Sequence, residues 1–487
     1  MATLPRSLFT AAQTRELDRR AIRSGIPGYA LMTRAGEAAF QVLRERWPAA
    51  TRIVVLAGPG NNGGDGYVLA RLAWTQHLDV KLVTVGSHDA LTGDAALAAN
   101  DATRARVPEK SWSGSLPPAD IYVDALFGTG LNKPVGGDFA AAIAALNRSG
   151  RPVLALDIPS GLQADTGAEL GEAVRADATI TFIGLKIGLL TGRGPALTGT
   201  LHFAGLDVPP AILDELPPLA HRLDPAELAR VGRRPQDAHK GQNGHVLIVG
   251  GNHGMAGAVA LAGEAALRAG AGLVSVATRE AHTALLTGRR PELMCHGVEE
   301  PGALAPLLAR ADVVVLGPGL GRDDWSRALY GAVLDSGLPL VLDADALNLL
   351  AQMPEIRGSW VLTPHPGEAA RLLGLSTAEV QADRITAVKA LRERFGGHVV
   401  LKGAGSLVAG DDGLFLCAGG NPGMATAGMG DVLSGVTGAL LAQHVERPVA
   451  LAVLLHAQAG DQAAAAGGER GLLASDLFPF LRRGMNP

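Results

Sequence analysis

Residues 52–66 read RIVVLAGPGNNGGDG, an apolar strand that runs directly into a glycine-rich loop. Residues 421–435 read NPGMATAGMGDVLSG, a different glycine-rich loop that opens a helix of small residues. Glycines at a strand-to-helix junction let the backbone approach a ligand closely, and they aim amide N–H groups at an anion. Two unrelated loops of this kind predict two nucleotide-handling sites in one chain.

The composition predicts a globular protein of two or three domains. The chain has 487 residues, of which 47% are hydrophobic and 18% are charged, as in an enzyme with large cores. The net charge of −4 and the 4% content of aromatic residues argue against nucleic acid as a partner, because nucleic-acid surfaces are basic and often stack bases on aromatic rings.

The sequence also shows no targeting or membrane signal. The N-terminal residues lack the apolar core of a signal peptide, and the most apolar stretch, 449–460, is too short to cross a bilayer. The only cysteines, Cys295 and Cys417, cannot form a disulfide framework. We therefore expect a cytoplasmic protein without a membrane partner.

Short apolar runs alternate with helical segments in both halves, which predicts α/β domains with mostly parallel sheets. In the first half the predicted strands are 52–57, 80–85, 121–124, 153–158, 179–183 and 201–203. With helices such as 66–76 between them, and behind a helical arm at 10–47, they predict a Rossmann-like αβα sandwich. A proline-rich stretch then breaks the pattern. We place a linker at 213–224, between a first domain of residues 1–212 and a second of residues 225–487.

Polar side chains follow several strands of the first half, where ligands of parallel sheets bind. Asn62, Asp124 and Ser160 offer amide, carboxylate and hydroxyl oxygens, which suit an alkali or alkaline-earth ion. Asp124 and Ser160 also suit a purely structural role as turn caps. Asp157 ends the strand VLALD and is either an acid–base group or a helix cap.

The first glycine-rich loop does not match the dinucleotide fingerprint. Gly58 and Gly60 are followed by NNGGDG rather than by the spacing GxGxxG, which disfavours a dehydrogenase. A second turn, GTGLNKP at 128–134, offers flexible amides and Lys133 to a phosphate group.

The second half contains groups suited to phosphoryl transfer. The residues AGMGD, 427–431, start a helix whose amides and dipole would stabilise a phosphoryl group. Asp431 can take a proton from a substrate hydroxyl, whereas a simple helix cap would not explain the small residues before it. The turn KGAGS at 402–406 can contact a nucleotide, and His365 is either a substrate contact or structural. The Walker A motif is absent, so this is not a P-loop protein.

These motifs together resemble the family of bifunctional NAD(P)H-hydrate repair enzymes over nearly the whole chain. The first half is similar to the NAD(P)HX epimerase domain through GPGNNGGDG, DALFGTGLNKP and LDIPSGL. The second half is similar to the ADP-dependent NAD(P)HX dehydratase domain, which has a ribokinase-like α/β fold, through HKGQNGHVLIVGG, GPGLG, LTPHPGEAARLLG, LKGAG and NPGMATAGMGDVLSG. The resemblance implies that the first half interconverts the R and S hydrates of NADH and NADPH. The second half then dehydrates the S hydrate and converts ADP to AMP and phosphate.

The resemblance also implies roles for individual residues and a homo-oligomeric assembly. In the epimerase site it assigns substrate contacts to Asn61, Asn62, Gly63, Gly64, Asp65, Gly128, Thr129, Gly130, Leu131, Asn132, Lys133, Pro134 and Asp157. Asp157 and Lys133 are the candidates for proton transfer, and Asn62, Asp124 and Ser160 hold a potassium ion. In the dehydratase site the hydrate contacts are Ala258, Gly319, His365 and Asp431, with Asp431 as the catalytic base. ADP, together with magnesium, binds at Lys402, Gly403, Ala404, Gly405, Ser406 and Gly430.

Two other functions fit parts of the sequence. A vitamin or sugar kinase shares the fold and the GxGD-type loop of the second half, but it leaves GPGNNGGDG without a purpose and predicts a stable phosphorylated product. The first half is alternatively a non-catalytic ligand-binding module, which predicts cofactor binding without interconversion of epimers.

Overall fold

The computed structural model describes residues 4–87 and 91–486. The chain divides into two compact units, Met1–His221 (unit 1) and Arg222–Pro487 (unit 2). The division falls inside the segment predicted as a linker, 213–224, although a short strand occupies part of that segment. The finer domain bounds stay a prediction. No helix within 4–87 and 91–486 is long and apolar enough to span a membrane.

Unit 1 alternates strands and helices. Its strands are β1 (Ser7–Phe9), β2 (Arg52–Ala57), β3 (Asp79–Thr84), β4 (Glu109–Ser111), β5 (Ile121–Ala125), β6 (Val153–Leu156), β7 (Ala178–Phe182), β8 (Leu185–Lys186), β9 (Thr200–Ala204) and β10 (Ala220–Arg222). Its helices are α1 (Ala11–Arg23), α2 (Gly28–Arg46), α3 (Asn61–Thr75), α4 (Gly93–Arg104), α5 (Gly137–Arg148), α6 (Gly194–Leu197) and α7 (Pro210–Asp214).

The main sheet of unit 1 has seven parallel strands in the order β4-β3-β2-β5-β6-β7-β9. Strands β5, β6 and β7 are buried along their whole length, as expected for parallel strands covered on both faces. The strand order reverses between β2 and β5, which is where open α/β sheets bind ligands. This arrangement confirms the predicted Rossmann-like sandwich.

The glycine-rich segment after β2 differs from the sequence prediction. Helix α3 begins at Asn61, not at Gly66, so most of NNGGDG is helical. The glycines are needed for packing: a Cβ on Gly58 would lie 1.9 Å from the carbonyl oxygen of Leu126. A Cβ on Gly66 would lie 2.6 Å from the Ala125 side chain. Tertiary contacts with β5 and the loop after it therefore override the low helix propensity of glycine.

Unit 2 continues the alternation. Its strands are β11 (His245–Val249), β12 (Leu273–Thr278), β13 (Met294–Gly297), β14 (Val313–Leu316), β15 (Leu340–Leu342), β16 (Trp360–Leu362), β17 (His398–Leu401), β18 (Ser406–Gly410) and β19 (Gly413–Cys417). Its helices are α8 (Ala256–Arg268), α9 (Glu280–Arg289), α10 (Ala305–Leu308), α11 (Asp324–Leu334), α12 (Asp345–Gln352), α13 (Pro366–Leu373), α14 (Thr377–Ala382), α15 (Arg384–Phe395), α16 (Met429–Ala442), α17 (Pro448–Gly467) and α18 (Phe478–Gly484).

The strands of unit 2 follow the order β13-β12-β11-β14-β15-β16-β17-β18-β19. They are parallel from β13 to β17, and β18 and β19 then pair antiparallel. The order reverses between β11 and β14, and the loops after these two strands touch there. The Asn252 amide donates to the Gly319 carbonyl oxygen at 2.7 Å. This edge of the sheet is where a ligand is expected.

Candidate active sites

A cleft of about 590 Å³ opens beyond the carboxyl ends of β2 and β5 in unit 1. Most residues predicted to contact the hydrate line it: Asn61, Asn62, Asp65, Gly128, Thr129, Gly130, Leu131, Asn132, Lys133 and Asp157. Gly63, Gly64 and Pro134 do not. Gly63 and Gly64 are buried in α3, where a Cβ would lie 2.0 Å from the Gly58 carbonyl oxygen and 2.6 Å from the Met32 side chain, respectively. The structure gives these two glycines a packing role, and their contact with substrate stays a prediction.

The side chains of the three predicted metal ligands lie close together at this cleft. The Ser160 hydroxyl donates to one Asp124 carboxylate oxygen at 2.7 Å, and the Ser160 amide donates to the other at 2.8 Å. The Asn62 side-chain amide donates to the Phe127 carbonyl oxygen at 3.0 Å. All three predicted side chains are buried.

One oxygen of this cluster accepts no hydrogen bond, and its carboxylate has no cationic partner, within the described residues. Within the described residues, Asn62 Oδ1 is buried and accepts no hydrogen bond. No basic side chain pairs with Asp124 there, and burial raises the pKa of Asp124 to about 6, although hydrogen bonds from Ser160 and Leu126 partly oppose the shift. An unsatisfied amide oxygen beside a buried carboxylate fits a bound monovalent cation with hard oxygen ligands.

Asp157 forms the central ion pair of the cleft. The fully buried Lys186 ammonium donates to the Asp157 carboxylate, to Thr181 Oγ1 at 3.0 Å and to the Phe182 carbonyl oxygen at 2.9 Å. Asp157 itself adopts a φ of +62°, a left-handed conformation that is strained for a residue with a side chain and is often found at functional sites. Lys133 is exposed on the loop after β5.

Two further carboxyl groups face Asp157. Burial raises the pKa of Asp65 well above its usual value, and the neighbouring charges of Asp157 and Asp18 raise it further. Burial also raises the pKa of Asp18. The cleft therefore combines an ion-paired carboxylate with a carboxyl group that favours its protonated form, the arrangement that acid–base chemistry requires.

In unit 2, Asp431 lies in the first turn of α16, and Gly428, with a φ of +88°, directly precedes this helix. Burial, with added repulsion from Asp343, raises the pKa of Asp431 to about 7, while Lys402 opposes the shift. A carboxyl group with this pKa is half charged near neutral pH, which suits a general base.

A second ion pair supports the start of α16. Lys402 Nζ lies 2.7 Å from Asp343 Oδ1, and the Ser434 hydroxyl donates to Asp343 Oδ2 at 2.7 Å. Burial alone would raise the pKa of Asp343, but the Lys402 charge and these hydrogen bonds hold it below its usual value. A Cβ on Gly430 would lie 3.2 Å from Lys402 Nζ. Two predicted nucleotide residues, Gly430 and Lys402, are therefore neighbours.

Side-chain hydrogen bonds stabilise the turn at 402–406, which is predicted to bind the nucleotide. The Ser406 hydroxyl donates to the Gly403 carbonyl oxygen at 3.0 Å. The buried Arg384 guanidinium donates to the carbonyl oxygens of Leu401 and Lys402 at 3.1 and 3.3 Å. Its planar fork of donors fixes the path of the turn.

His365 caps the N-terminus of α13. Its Nδ1 accepts from the Gly367 amide at 3.0 Å, and Glu368 in turn accepts from the His365 amide at 2.8 Å. Burial, followed by the Lys402 charge, lowers the pKa of His365. Burial raises the pKa of Glu368, whose carboxylate lies 3.9 Å from Lys402 Nζ, to about 7. His365 therefore has a clear structural role, and its side chain, 52% exposed, also remains open to a ligand.

The other two residues predicted to contact the hydrate in unit 2, Ala258 and Gly319, lie next to each other. A Cβ on Gly319 would lie 3.2 Å from the Ala258 Cβ and 2.7 Å from the Met255 Cβ. Gly319 has a φ of +57°, so both its backbone conformation and the lack of space require glycine.

Known proteins resemble both units. Residues 246–483 match the family model described as NAD(P)H-hydrate dehydratase, and residues 28–188 match the model described as YjeF-related protein N-terminus. The bifunctional NAD(P)H-hydrate repair enzyme of Coxiella burnetii is 49% identical over 485 residues, which cover 99% of each chain. The chain belongs to the family of bifunctional NAD(P)H-hydrate repair enzymes.

Further relatives agree with this assignment. The repair enzyme of Escherichia coli is 46% identical over 501 residues and covers 100% of this chain and 95% of its own. Among solved structures, a ribokinase-like superfamily protein of Enterococcus faecalis is 32% identical, with a TM-score of 0.51. The match covers 54% of this chain and 94% of that one. The predicted ribokinase-like fold is thereby confirmed, and unit 1 and unit 2 of this repair enzyme correspond to its epimerase and dehydratase domains.

Several residues around the two candidate sites were not predicted from the sequence, most clearly Lys186, Asp343 and Arg384. A signal for Lys186 existed, because the chain uses arginine far more often than lysine, and Lys186 lies in an otherwise apolar strand. Asp343 directly follows a strand, as Asp157 does, and the same argument from strand ends applied to it. Arg384 gave no signal, since a single arginine at the start of a helix is usually exposed.

Proposed function

We propose that unit 1 interconverts the two epimers of hydrated NADH and NADPH, and that unit 2 dehydrates the S epimer while converting ADP to AMP and phosphate. The observation that supports this division best is that each unit has its own partly buried carboxylate at the ligand-binding edge of its sheet. These are Asp157 in unit 1 and Asp431 in unit 2. A dehydratase that accepts only one epimer needs an epimerase to use the other, which explains why one chain contains both.

For dehydration we propose Asp431 as the base. It removes the proton from the hydroxyl at carbon 6 of the nicotinamide ring, and the resulting oxygen attacks the terminal phosphoryl group of ADP, from which AMP leaves. The ring nitrogen then supplies its electron pair to expel phosphate from carbon 6. Loss of a proton from carbon 5 restores the dihydronicotinamide. Amides at the start of α16 stabilise the phosphoryl group in transfer.

The nucleotide fits beside this base. We propose that Lys402 contacts a phosphate of ADP, with the turn up to Ser406 and the backbone of Gly430 beside it, because these groups adjoin each other and Asp431. Within the described residues no cluster of three or more His, Cys, Asp or Glu side chains forms a metal cage. Magnesium commonly reaches such sites on the nucleotide phosphates, with few protein ligands, so we assign it to the nucleotide.

For epimerisation we propose that Asp65 and Asp157 act as an acid–base pair. The carbon–oxygen bond at carbon 6 breaks as the ring nitrogen's electron pair forms a double bond, and Asp65 protonates the departing oxygen to give water. Water then adds to the opposite face and gives its extra proton to Asp157, from which the proton returns to Asp65 through solvent. Lys186 orients Asp157 by the ion pair. A role for Lys133 in proton transfer stays a prediction.

We further propose that Asn62, Asp124, Ser160 and the Phe127 carbonyl oxygen hold a potassium ion, since they form an oxygen-rich cluster with an unsatisfied amide oxygen and an unpaired carboxylate. A bound ion would neutralise Asp124 and hold the loop after β5 against α3. We expect a higher Tm in potassium chloride than in tetramethylammonium chloride, and no such difference for Asp124→Asn. Equal effects of potassium on both proteins would contradict this site.

The proposed function is tested by incubating the protein with both NADPH hydrates, ADP and magnesium while absorbance at 340 nm is followed. Recovery of both epimers with one AMP formed per NADPH supports the proposal. A stable phosphorylated product would instead support a small-molecule kinase, and recovery that stops at one epimer would make unit 1 a binding module. The expected homo-oligomer is tested by light scattering and the cytoplasmic location by cell fractionation.

A further inference from the structure

Unit 2 contains a cavity that is lined by none of the residues predicted for the dehydratase site. Its volume is about 960 Å³, larger than the cleft of unit 1. Its lining includes the C-terminal ends of α8 and α16, the segment 229–235, α18, residues 242 and 243, and residues 290 and 292. None of the residues assigned to hydrate, ADP or catalysis lines it. Helix α16 begins beside Asp431 and has 14 residues, so its two ends are about 20 Å apart.

Basic side chains dominate the lining of this cavity. Its charged residues are five arginines and two glutamates: Arg233, Arg234, Arg268, Arg290, Arg482, Glu264 and Glu292. Glu264 is buried and already pairs with Arg290 and Arg268. Within the part of the chain that the structure describes, Arg233 and Arg482 are exposed and have no acidic partner. The cavity therefore has an excess of positive charge with free guanidinium groups.

The backbone carbonyl oxygens near this cavity are partly engaged in hydrogen bonds. The carbonyl oxygens at the C-terminal ends of helices carry partial negative charge, and three carbonyl oxygens near these ends already accept side-chain hydrogen bonds. Arg234 donates to the Gly270 carbonyl oxygen, and the Gln443 amide donates to those of Ala269 and Ala439 at 2.9 and 2.8 Å. Arg290 Nε is buried and has no hydrogen-bond partner within 4–87 and 91–486.

We propose that this cavity binds a small molecule that carries a phosphate or pyrophosphate group. Guanidinium groups bind phosphate oxygens in pairs and keep their charge at every physiological pH. A volume of about 960 Å³ lies at the upper end of the range of small-molecule sites, so a whole nucleotide fits. Both acidic side chains of its lining, Glu264 and Glu292, pair with Arg290, so we assign the cavity a binding role.

The test is calorimetric titration of the full-length protein with inorganic pyrophosphate. We expect saturable binding to the wild type, weakened about tenfold or more in the double variant Arg233→Ala/Arg482→Ala. Each charge-assisted contact contributes enough for a change of this size. Arg310→Ala removes an exposed arginine outside the cavity and serves as the matched control, with binding equal to wild type.

The same double variant separates this cavity from the ADP site. We expect its KM for ADP in the dehydration assay to equal that of the wild type. Absence of saturable pyrophosphate binding in the wild type would overturn the proposal, as would equal binding to the wild type and the double variant. A KM for ADP that rises together with the loss of pyrophosphate binding would also overturn it, because the arginines would then belong to the ADP site.

Discussion

The two units each contain a buried aspartate–lysine pair, and the pairs are oriented in opposite ways. In unit 1 the Lys186 side chain is fully buried and Asp157 is 16% exposed. In unit 2 Asp343 is 2% exposed and Lys402 is 19% exposed. The more exposed member of the pair is therefore the carboxylate in unit 1 and the ammonium group in unit 2.

This difference corresponds to the chemistry proposed for each site. A carboxylate facing the ligand suits proton transfer to and from the hydrate, which needs no phosphate donor. An ammonium group facing the ligand suits the phosphates of ADP. Because Lys402 is paired with Asp343, the base that we propose for unit 2 is a third residue, Asp431, whose pKa is raised to about 7 by burial and by Asp343. In this proposal the same pair of residue types supplies a reacting group in unit 1 and a binding group in unit 2.

Asp431→Asn should give the largest effect. Removing the only proposed base of unit 2 should lower dehydration by about 10²- to 10⁴-fold, while epimerisation in unit 1 stays at the wild-type rate. NADPH recovery at 340 nm and chromatographic separation of the two hydrates measure the two activities. Dehydration that falls less than tenfold would mean that Asp431 is not the base.

Lys186→Met should lower epimerisation by about 100-fold and leave dehydration intact, because Asp157 loses the group that orients it. Breaking a buried pair also costs about 3–5 kcal/mol of stability. The double variant Asp157→Asn/Lys186→Met removes both charges and should restore the Tm without restoring epimerisation. Lys133→Met is the matched control on the exposed loop. If this control loses more epimerisation than Lys186→Met, the proton-transfer lysine is Lys133.

The pH profile of dehydration should follow the charge of Asp431. Its carboxylate must be deprotonated to act as a base, so kcat should rise with pH through about 7 and fall about fivefold between pH 7 and pH 6. Glu368 also has a pKa raised to about 7, and Glu368→Gln distinguishes the two groups. We expect this variant to keep the inflection. Loss of the inflection in Glu368→Gln would assign it to Glu368 instead.

The smallest predicted effect concerns stability. The pKa of Asp431 is about 7 in the folded protein and about 3.9 when unfolded, so the folded state binds this proton more tightly. The free energy of unfolding therefore falls as pH rises from about 4 to about 7. Asp431→Asn should raise the Tm at pH 8, and it should raise the Tm less at pH 5, where the wild-type carboxyl group is protonated. The exposed Asp335→Asn should show no such difference, and a lower Tm for Asp431→Asn at pH 8 would contradict the account.

The sequence predicted the sheet of unit 1 well and the start of α3 poorly. Strand β2 was predicted with the bounds that the structure has, because continuous apolar residues between polar ends are an unambiguous pattern. The helical character of NNGGDG was missed because its glycines are selected by close packing against Gly58 and Ala125, which no local pattern reveals. The predicted arm at 10–47 is two helices, α1 and α2, separated before Pro27, where the proline disfavours helix in the preceding residue.

The site residues likewise show that the sequence reveals local patterns but not contacts between distant segments. Asp431 and the turn at 402–406 could be predicted as site residues because small residues and turns leave a local signature. Lys186 and Arg384 were missed because their roles come from burial beside a partner distant in sequence: Asp157 for one, and carbonyl groups of β17 and the next turn for the other. Such pairs become visible only once the topology is known.

The most direct test of the central claim, that the two sites work separately, is complementation between Asp157→Asn and Asp431→Asn. Both NADPH hydrates are supplied with ADP and magnesium, and absorbance at 340 nm is followed. We predict that Asp157→Asn alone recovers only the S hydrate, that Asp431→Asn alone recovers neither, and that the mixture recovers both. A mixture that stops at the level reached by Asp157→Asn would contradict the account.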